Sequence, residues 1–436
     1  MTEPRAKPTP ISGPAYLRLV ALGALIGAPA ALVAAGFLAL VHNLEHWLWH
    51  SLPSALGEST PPWYHVIALP VAGACVVLFA RRFLPGDGGH PPLEGIGGGA
   101  TPVVHAPGIA LAAIGTLAFG AVLGPEAPLI ALGSVVGMIG TLFAKVAERE
   151  RRVLATAGSF SAISALFGGP IVGGMMMVES SVEMGAAALP ILLPGFVAAA
   201  VGYVIFIGFG TWGGLHAQSL AVPNLPPYDG THIYDLIIAI VVGVAAAGVV
   251  TLVRQLAGEL AGHRLRRVGM PLLLLGGAAA VGLTAQIAEW LGANSQDVLF
   301  SGQTGVPALA ASDSTKIVLI LLVGKAIGYG ISLGCGFRGG PVFPAIFLGI
   351  ALATLPDIWF GTSPTVAVAA GAAAGMAAGT RLLVTSTLFA ALLVGSAGFD
   401  AVPAAVLAAA AAWLTVQAID RARVARAEAG HPALSS

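Results

Sequence analysis

Long apolar segments alternate with short polar ones along most of the chain. Some apolar segments reach the ~20 residues that a membrane-spanning helix needs, whereas others are clearly shorter. Short apolar segments of this kind are typical of re-entrant or broken helices that are buried in protein. The segments lie near Tyr16–Val41, His65–Ala80, Ile109–Val122, Leu129–Ala144, Ala187–Phe209, Leu236–Val253, Met270–Ile287, Ile317–Leu333, Pro344–Leu355, Val366–Ala378, Leu382–Val394 and Val402–Val416. The pattern predicts an all-α polytopic membrane protein.

The composition supports a lipid bilayer as the surroundings. Hydrophobic residues make up 57% of the chain and charged residues 9%, and the mean hydropathy is +0.89. Soluble domains contain about 25% charged residues. The 20 basic residues balance the 20 acidic ones, so no nucleic-acid partner is indicated. No motif for a cofactor or a metal ion is present.

The placement of Lys and Arg predicts the topology. Basic residues lie before the first apolar segment, after the second, in two internal loops and at the C-terminus: Arg5, Lys7, Arg18, Arg81, Arg82, Lys145, Arg149, Arg151, Arg152, Arg254, Arg264, Arg266, Arg267, Arg421, Arg423 and Arg426. The polar segments Gly208–His232 and His42–His65 contain none. The second of these carries Trp47, Trp49, Trp63 and Tyr64, which resembles an aromatic belt. By the positive-inside rule, both termini are expected in the cytoplasm and the protein in the plasma (inner) membrane.

Glu126 is the candidate functional residue, in the sequence Gly124-Pro125-Glu126-Ala127-Pro128. Pro128 is suited to opening a helix. An acid at a helix start within the bilayer would lie where free N–H groups attract an anion. It could compete with a transported anion when charged and leave when protonated. It could equally serve only to cap its own helix.

A second half repeats the first. Pro128–Gly133 and Pro344–Gly349 both have the pattern P-x-I-x-L-G, follow Gly and Pro, and lie 216 positions apart. Ala155–Gly158 is echoed by Ala369–Gly371. Broken apolar segments at matching places in two halves indicate a transporter with inverted-topology repeats and a site at their interface.

The expected organisation follows from this repeat. Residues 1–14 form a cytoplasmic tail, 15–215 the first transmembrane repeat, 216–233 an extracellular linker, 234–418 the second repeat, and 419–436 a second cytoplasmic tail. About 20 residues follow the last apolar segment, so we expect no cytosolic regulatory domain.

These motifs resemble those of the chloride channel (CLC) family. Gly124–Pro128 is similar to its G-[KR]-E-G-P signature, and Gly339–Gly349 to its G-G-x-F-x-P segment. Phe167–Gly174, running into Val178-Glu179-Ser180, resembles the stretch between them. The resemblance covers nearly the whole chain and implies a homodimer with an anion pathway in each subunit. It implies that Glu126 gates that pathway and exchanges protons.

Two departures from the family concern the central anion site. The segment Gly86–Gly95 stands where the family has G-S-G-I-P, which places Gly88 at the position of the serine donor. Gly89 and His90 follow. His90 could replace the missing donor or could face water as a loop histidine. The family's pore tyrosine lies near the C-terminus, whereas the last tyrosine here is Tyr329. Both side-chain donors are therefore expected to be missing.

Backbone groups supply the remaining candidate anion ligands. Pro125 and Pro341 have no N–H to offer, and Val342 takes the place of the family's Phe, with Phe343 next. The candidate anion-binding residues are Gly88, Gly89, His90, Gly124, Ala127, Gly340, Val342 and Phe343. Because each lost buried hydrogen bond to a charge costs ~1.5–3 kcal/mol, we expect weak central binding.

Proton coupling stays open at this stage. The family's exchangers pass protons through an internal glutamate, and Ser180 occupies that position here. Glu179 or Glu183 could substitute, or Glu179 could have only a structural role. The expected function is transport of chloride or a similar small anion, with a proton-coupled chloride or fluoride antiporter as the alternative. An integral-membrane enzyme using Glu126 as acid-base is a third class, but no cluster of partner residues supports it.

Overall fold

A computed structural model of the chain describes residues 13–144, 146–181, 189–208, 211–212, 215–216, 220–262 and 269–429. Within these ranges the chain is almost entirely helical. The helices are α1 Gly13–His46, α2 Leu52–Ala55, α3 Trp63–Phe83, α4 Ala106–Leu117, α5 Glu126–Leu142, α6 Glu148–Leu166, α7 Pro170–Ser180, α8 Leu189–Gly208, α9 Ile233–Ala261, α10 Met270–Trp290, α11 Ser295–Val298, α12 Val306–Ala310, α13 Thr315–Gly334, α14 Val342–Phe360, α15 Pro364–Thr380, α16 Leu383–Val394 and α17 Val402–Ala429.

Short elements complete the fold. A π-helical turn covers Trp47–Ser51, and 3₁₀ turns cover Pro92–Glu94, Val103–His105 and Ser396–Ala401. The strands β1 (Thr211–Trp212) and β2 (Leu215–His216) form a small antiparallel hairpin, with Thr211 opposite His216.

Long and short apolar helices both occur, as the sequence predicts. Among the described residues, eight helical segments are long and apolar enough to cross a membrane, and four apolar helices are shorter. The chain is therefore a multi-pass membrane protein, and the prediction of an all-α fold with broken helices is confirmed. The short helices include α4, α5, α15 and α16, and α5 begins at the candidate gate.

The two halves of the fold correspond helix by helix. Helices α5 and α14 begin 216 residues apart, at Glu126 and Val342, and so do α6 and α15, at Glu148 and Pro364. In the first half α1, α5, α6 and α8 pack on one another as α9, α14, α15 and α17 do in the second. The predicted two-repeat architecture is confirmed.

The glycines of the repeated motif bring helices into close contact. A Cβ on Gly133 of α5 would lie 2.5 Å from the carbonyl oxygen of Gly158 on α6. In the second half, a Cβ on Gly349 of α14 would lie 2.1 Å from the carbonyl oxygen of Gly371 on α15. Only glycine permits this approach of two backbones, so α5 and α14 are each fixed tightly against the following helix.

Helix α5 begins at Glu126, with Pro125 preceding it, so Pro128 lies in the first turn, as the sequence predicts. One local expectation needs correction. Trp49 does not belong to an exposed belt, because it is fully buried and its indole N–H donates to the Ala118 carbonyl at 3.1 Å. Trp47 and Trp63 are exposed.

Candidate anion-binding site

The two helix breaks meet each other at the centre of the protein. Gly124 N donates to Gly340 O at 2.8 Å, and Gly340 N donates to Gly124 O at 2.5 Å. This isolated antiparallel bridge joins the residues just before α5 and α14. It uses the N–H groups of both glycines. The predicted residues Gly124 and Gly340 therefore lie together, but their amides hold the two breaks in place.

Glu126 folds its side chain across this bridge to the start of α14. The residue is fully buried, and Oε1 accepts a hydrogen bond from Phe343 N at 3.0 Å. The backbone N–H groups of Glu126 and Val342 also interact favourably with the carboxylate. Oε2 is buried and has no hydrogen-bond partner among the described residues. A single carboxylate thus lies against the N-terminal amides of two helices.

Glycine is required on both sides of this carboxylate. A Cβ on Gly124 would lie 2.3 Å from Glu126 Oε2, and a Cβ on Gly340 would lie 1.6 Å from the same atom. Any side chain at either position would expel the carboxylate. The two glycines therefore create the space in which Glu126, or an ion of similar size, can lie.

Three aromatic rings cover this site on one side. Phe343 stacks on Phe167 with ring centroids 5.5 Å apart, and Phe389 makes edge contacts with both, at 6.0 Å and 5.3 Å. Phe389 belongs to α16, one turn beyond Thr385. The ring cluster thus links the start of α14 to α16, whose first residues bind the carboxylate of Glu179.

Glu179 is held by the N-terminus of α16. Its Oε1 accepts from Leu383 N at 3.1 Å and Val384 N at 2.8 Å, and its Oε2 accepts from Thr385 N at 2.7 Å and from the Thr385 hydroxyl. Ser180 Oγ donates to the Met176 carbonyl at 2.8 Å. Glu183, the other acid considered, lies outside the described residues. This geometry supports the structural alternative for Glu179, that of a helix cap.

A cavity of about 220 Å³ adjoins the other side of the helix start. Gly89, His90 and Ala127 line it together with His105 and Thr101. His90 Nε2 is buried and has no hydrogen-bond partner among the described residues. His90 is half-buried and lines this partly open cavity.

Gly88 lies beside an ionic cluster. A Cβ there would lie 3.2 Å from Cγ of both Arg81 and Arg338. Asp87 accepts two hydrogen bonds from Arg81, each of 2.9 Å, and forms a salt bridge with the buried Arg338. Partial burial acts to raise the pKa of Asp87, but the hydrogen bonds and charges of the two arginines outweigh it and lower the pKa. The segment at the serine position is therefore an anchor between α3 and the stretch before α14.

Sequence reasoning missed two side chains beside the site. Tyr329 on α13 is fully buried, and its hydroxyl donates to the Pro341 carbonyl at 2.8 Å. Arg254 lies on α9 rather than in the basic loop after it. The other arginines assigned to that loop, Arg264, Arg266 and Arg267, lie outside the described residues. The available signals were a tyrosine within an apolar helix and an arginine directly after an apolar segment.

Comparison with known proteins identifies the family. The family model described as "Voltage gated chloride channel" matches residues 72–417. The ion-transport protein YfeO of Escherichia coli (strain SMS-3-5 / SECEC) is 30% identical over 366 residues, which cover 81% of this chain and 80% of the relative. YfeO of Escherichia fergusonii matches to the same extent, 30% over 366 residues.

Solved structures of low sequence identity share the fold. A slow cyanobacterial Cl⁻/H⁺ antiporter superposes with a TM-score of 0.73 at 18% identity, covering 92% of this chain and 95% of the other. A CLC-type fluoride/proton antiporter superposes with a TM-score of 0.71 at 19% identity, covering 93% of this chain and 96% of the other.

Proposed function

This chain belongs to the voltage-gated chloride channel (CLC) family of anion transport proteins, and from that premise we propose that Glu126 gates its anion pathway. The observation that carries the proposal is the position of the Glu126 carboxylate, which is fully buried against the first amides of α14. Helix N-termini bind anions through free N–H groups and the helix dipole. The carboxylate therefore occupies a place that suits a small anion such as chloride.

The proposed gating step is a competition for these amides. The charged carboxylate accepts from Phe343 N and interacts with Val342 N. Protonation removes the charge and weakens both interactions, because hydrogen bonds to charged groups are about twice as strong as neutral ones. The side chain then leaves, and the anion takes the amides of Val342 and Phe343. Acid should therefore increase anion flux.

We propose uncoupled, channel-like movement as the first interpretation. A proton relay beyond Glu126 would need a titratable group toward the inner side, and Ser180 at the family position carries none. Glu179 accepts four hydrogen bonds at the start of α16, which favours a side chain that is fixed in place over one that moves in a relay.

A proton-coupled antiporter for chloride or fluoride is the second candidate. The two solved structures named above are described as Cl⁻/H⁺ and fluoride/proton antiporters. The unpartnered Oε2 of Glu126 is an observation in its favour, because a proton could bind there without breaking the bond to Phe343. Glu126 would then carry the proton through the site itself.

Assembly and location follow from the resemblance and from the charge pattern. We propose a homodimer in the plasma (inner) membrane, with one pathway in each subunit and both termini in the cytoplasm. We propose no enzymatic activity. Chemical cross-linking in membranes tests the dimer, and thiol labelling of single cysteines added at the termini tests the orientation.

Anion flux from reconstituted liposomes tests the function. Vesicles loaded with potassium chloride or potassium fluoride should release the anion when potassium is allowed to leave through valinomycin. Release without a proton ionophore indicates uncoupled movement, whereas release that needs the ionophore indicates exchange with protons. No release of either anion from protein-containing vesicles would contradict the proposal.

A further inference from the structure

Arg254 directs its guanidinium into the protein. Nη2 donates to the Leu93 carbonyl at 2.8 Å, in the 3₁₀ turn Pro92–Glu94. Nη1 is buried and has no hydrogen-bond partner among the described residues. The salt bridges found within the described part of the chain do not include Arg254. Nη2 is therefore anchored by the backbone, and Nη1 is the nitrogen left to bind a ligand.

An unused charged donor in a protein interior needs an explanation. Arginine stays protonated under all ordinary conditions, so its charge cannot be relieved by loss of a proton. Burial of an unpaired charge is costly, and buried polar groups nearly always have a partner. In a protein that passes anions, the missing partner of Nη1 is most simply an anion.

Tyr329 connects Arg254 to the gate. Its hydroxyl lies within hydrogen-bonding reach of the Arg254 guanidinium and interacts electrostatically with the Glu126 carboxylate, so the three groups share one buried region. The same hydroxyl donates to the Pro341 carbonyl, directly before the Val342 amide. Arg254 therefore lies beside the start of α14.

The packing of α9 supports this placement. A Cβ on Gly379 of α15 would lie 4.0 Å from both the Pro341 carbonyl oxygen and Cγ1 of Val250. Val250 precedes Arg254 by one helical turn, and residues four apart lie on the same face of a helix. The face of α9 that carries Arg254 thus packs toward the residue that precedes the anion site.

We propose that Arg254 is a fixed cation on the anion pathway, and that its free Nη1 binds the transported anion together with the Tyr329 hydroxyl. This inference rests on the proposed function and names the side chains that take over from the family's missing serine and tyrosine donors. A hydroxyl can rotate from the Pro341 carbonyl to an arriving anion. We take the ligand to be a halide ion, the anion of the proposed function.

Anion titration in the Glu126→Gln background tests the assignment, since it removes the competing carboxylate. Purified protein is titrated by calorimetry with potassium chloride and, in parallel, with potassium fluoride. Addition of Arg254→Gln should weaken halide binding by at least about tenfold, the effect of losing one hydrogen bond to a charge. Arg254→Lys keeps the charge with a single nitrogen and should bind with intermediate affinity. Tyr329→Phe should weaken binding by a smaller factor.

Matched controls separate this effect from general damage. Arg423→Gln removes an exposed arginine on α17, and Tyr234→Phe changes a half-exposed tyrosine on α9. Each control, added to Glu126→Gln, should bind halide with the affinity of the Glu126→Gln protein. If Arg254→Gln fails to elute as a folded protein, the lysine variant and Tyr329→Phe decide the question.

Failure of the inference and failure of the proposed function give different results. If the Glu126→Gln protein binds a halide and all three added substitutions leave its affinity unchanged, Arg254 and Tyr329 are not anion ligands and the gate stands. If the unsubstituted protein neither binds a halide nor releases one from liposomes, the proposed function itself is wrong.

Discussion

Substitution of Glu126 by glutamine imitates the protonated gate and is the most direct perturbation of the site. Oε1 accepts from Phe343 N at 3.0 Å, and Val342 N also interacts with the carboxylate. A hydrogen bond to a charged group contributes about 1.5–3 kcal/mol, and a neutral one about 0.5–1.5 kcal/mol. Loss of the charge at two amides therefore weakens the internal competitor by about 2–3 kcal/mol, or about 30- to 150-fold.

Liposome flux at several pH values measures the consequence. We expect Glu126→Gln to keep or raise the anion flux of the parent at neutral pH and to abolish its activation by acid. Glu126→Asp keeps a carboxylate and should keep some acid activation. Glu148→Gln changes an acid that is 70% exposed at the start of α6 and should behave like the parent. Acid activation that persists unchanged in the glutamine variant would refute the gate.

Three further predictions address the surroundings of the gate. Pro341→Ile or Pro125→Arg returns a backbone N–H beside the pathway and should tighten anion binding in calorimetry; unchanged affinity in both folded variants would mean that these amides do not face the ion. Glu179→Gln should leave anion flux near the parent value, and a chloride gradient should drive no uphill proton movement; robust proton pumping by the parent would overturn the channel-like interpretation. Asp87→Asn should lower the thermal unfolding temperature at pH 7, because the buried Arg338 loses its counter-charge. The pKa of Asp87 is lower in the folded protein than in the unfolded chain. This stabilisation is therefore fully present above the unfolded pKa of about 3.9 and is lost as the pH falls through the folded pKa. A difference in unfolding temperature between the parent and Asp87→Asn that does not shrink in acid would contradict this origin.

The sequence predicted the two-repeat architecture because the same close contact between two helices occurs once in each half. Gly133 and Gly349 close the repeated motif, and Gly158 and Gly371 stand in the weaker echo. In the structure these four residues are partners at two equivalent helix crossings, where a Cβ on Gly158 would lie 2.1 Å from Gly133 O. A contact that admits only glycine leaves a visible mark in the sequence, so its position could be predicted.

The direction in which a long polar side chain points could not be predicted from the sequence in the same way. Arg254 was counted with the basic residues of a loop, although its guanidinium reaches Leu93, 161 positions away in sequence. Tyr329 was noted only as being too early for the family's pore tyrosine. Its position beside Pro341 depends on how α13 packs against the break before α14. Such contacts between distant segments are set by tertiary packing, which periodicity does not encode.

The surroundings of Gly88 could not be predicted from its motif. The motif places it at a donor position, and its neighbours in space include the side chains of Arg81 and Arg338. The adjacent Asp87 attracts both arginines and holds this segment to α3 and to the stretch before α14. Gly88 remains a candidate anion ligand only through its backbone.

Glu126 and Glu179 differ most in how completely they are bonded, and this difference bears on their roles. Glu126 is fully buried, yet one of its oxygens has no partner among the described residues. Both oxygens of Glu179 are engaged by the first residues of α16. A carboxylate with four donors loses several charge-assisted bonds when its side chain moves away, whereas one with a free oxygen loses fewer. Of the two acids, Glu126 is therefore the one suited to move during transport.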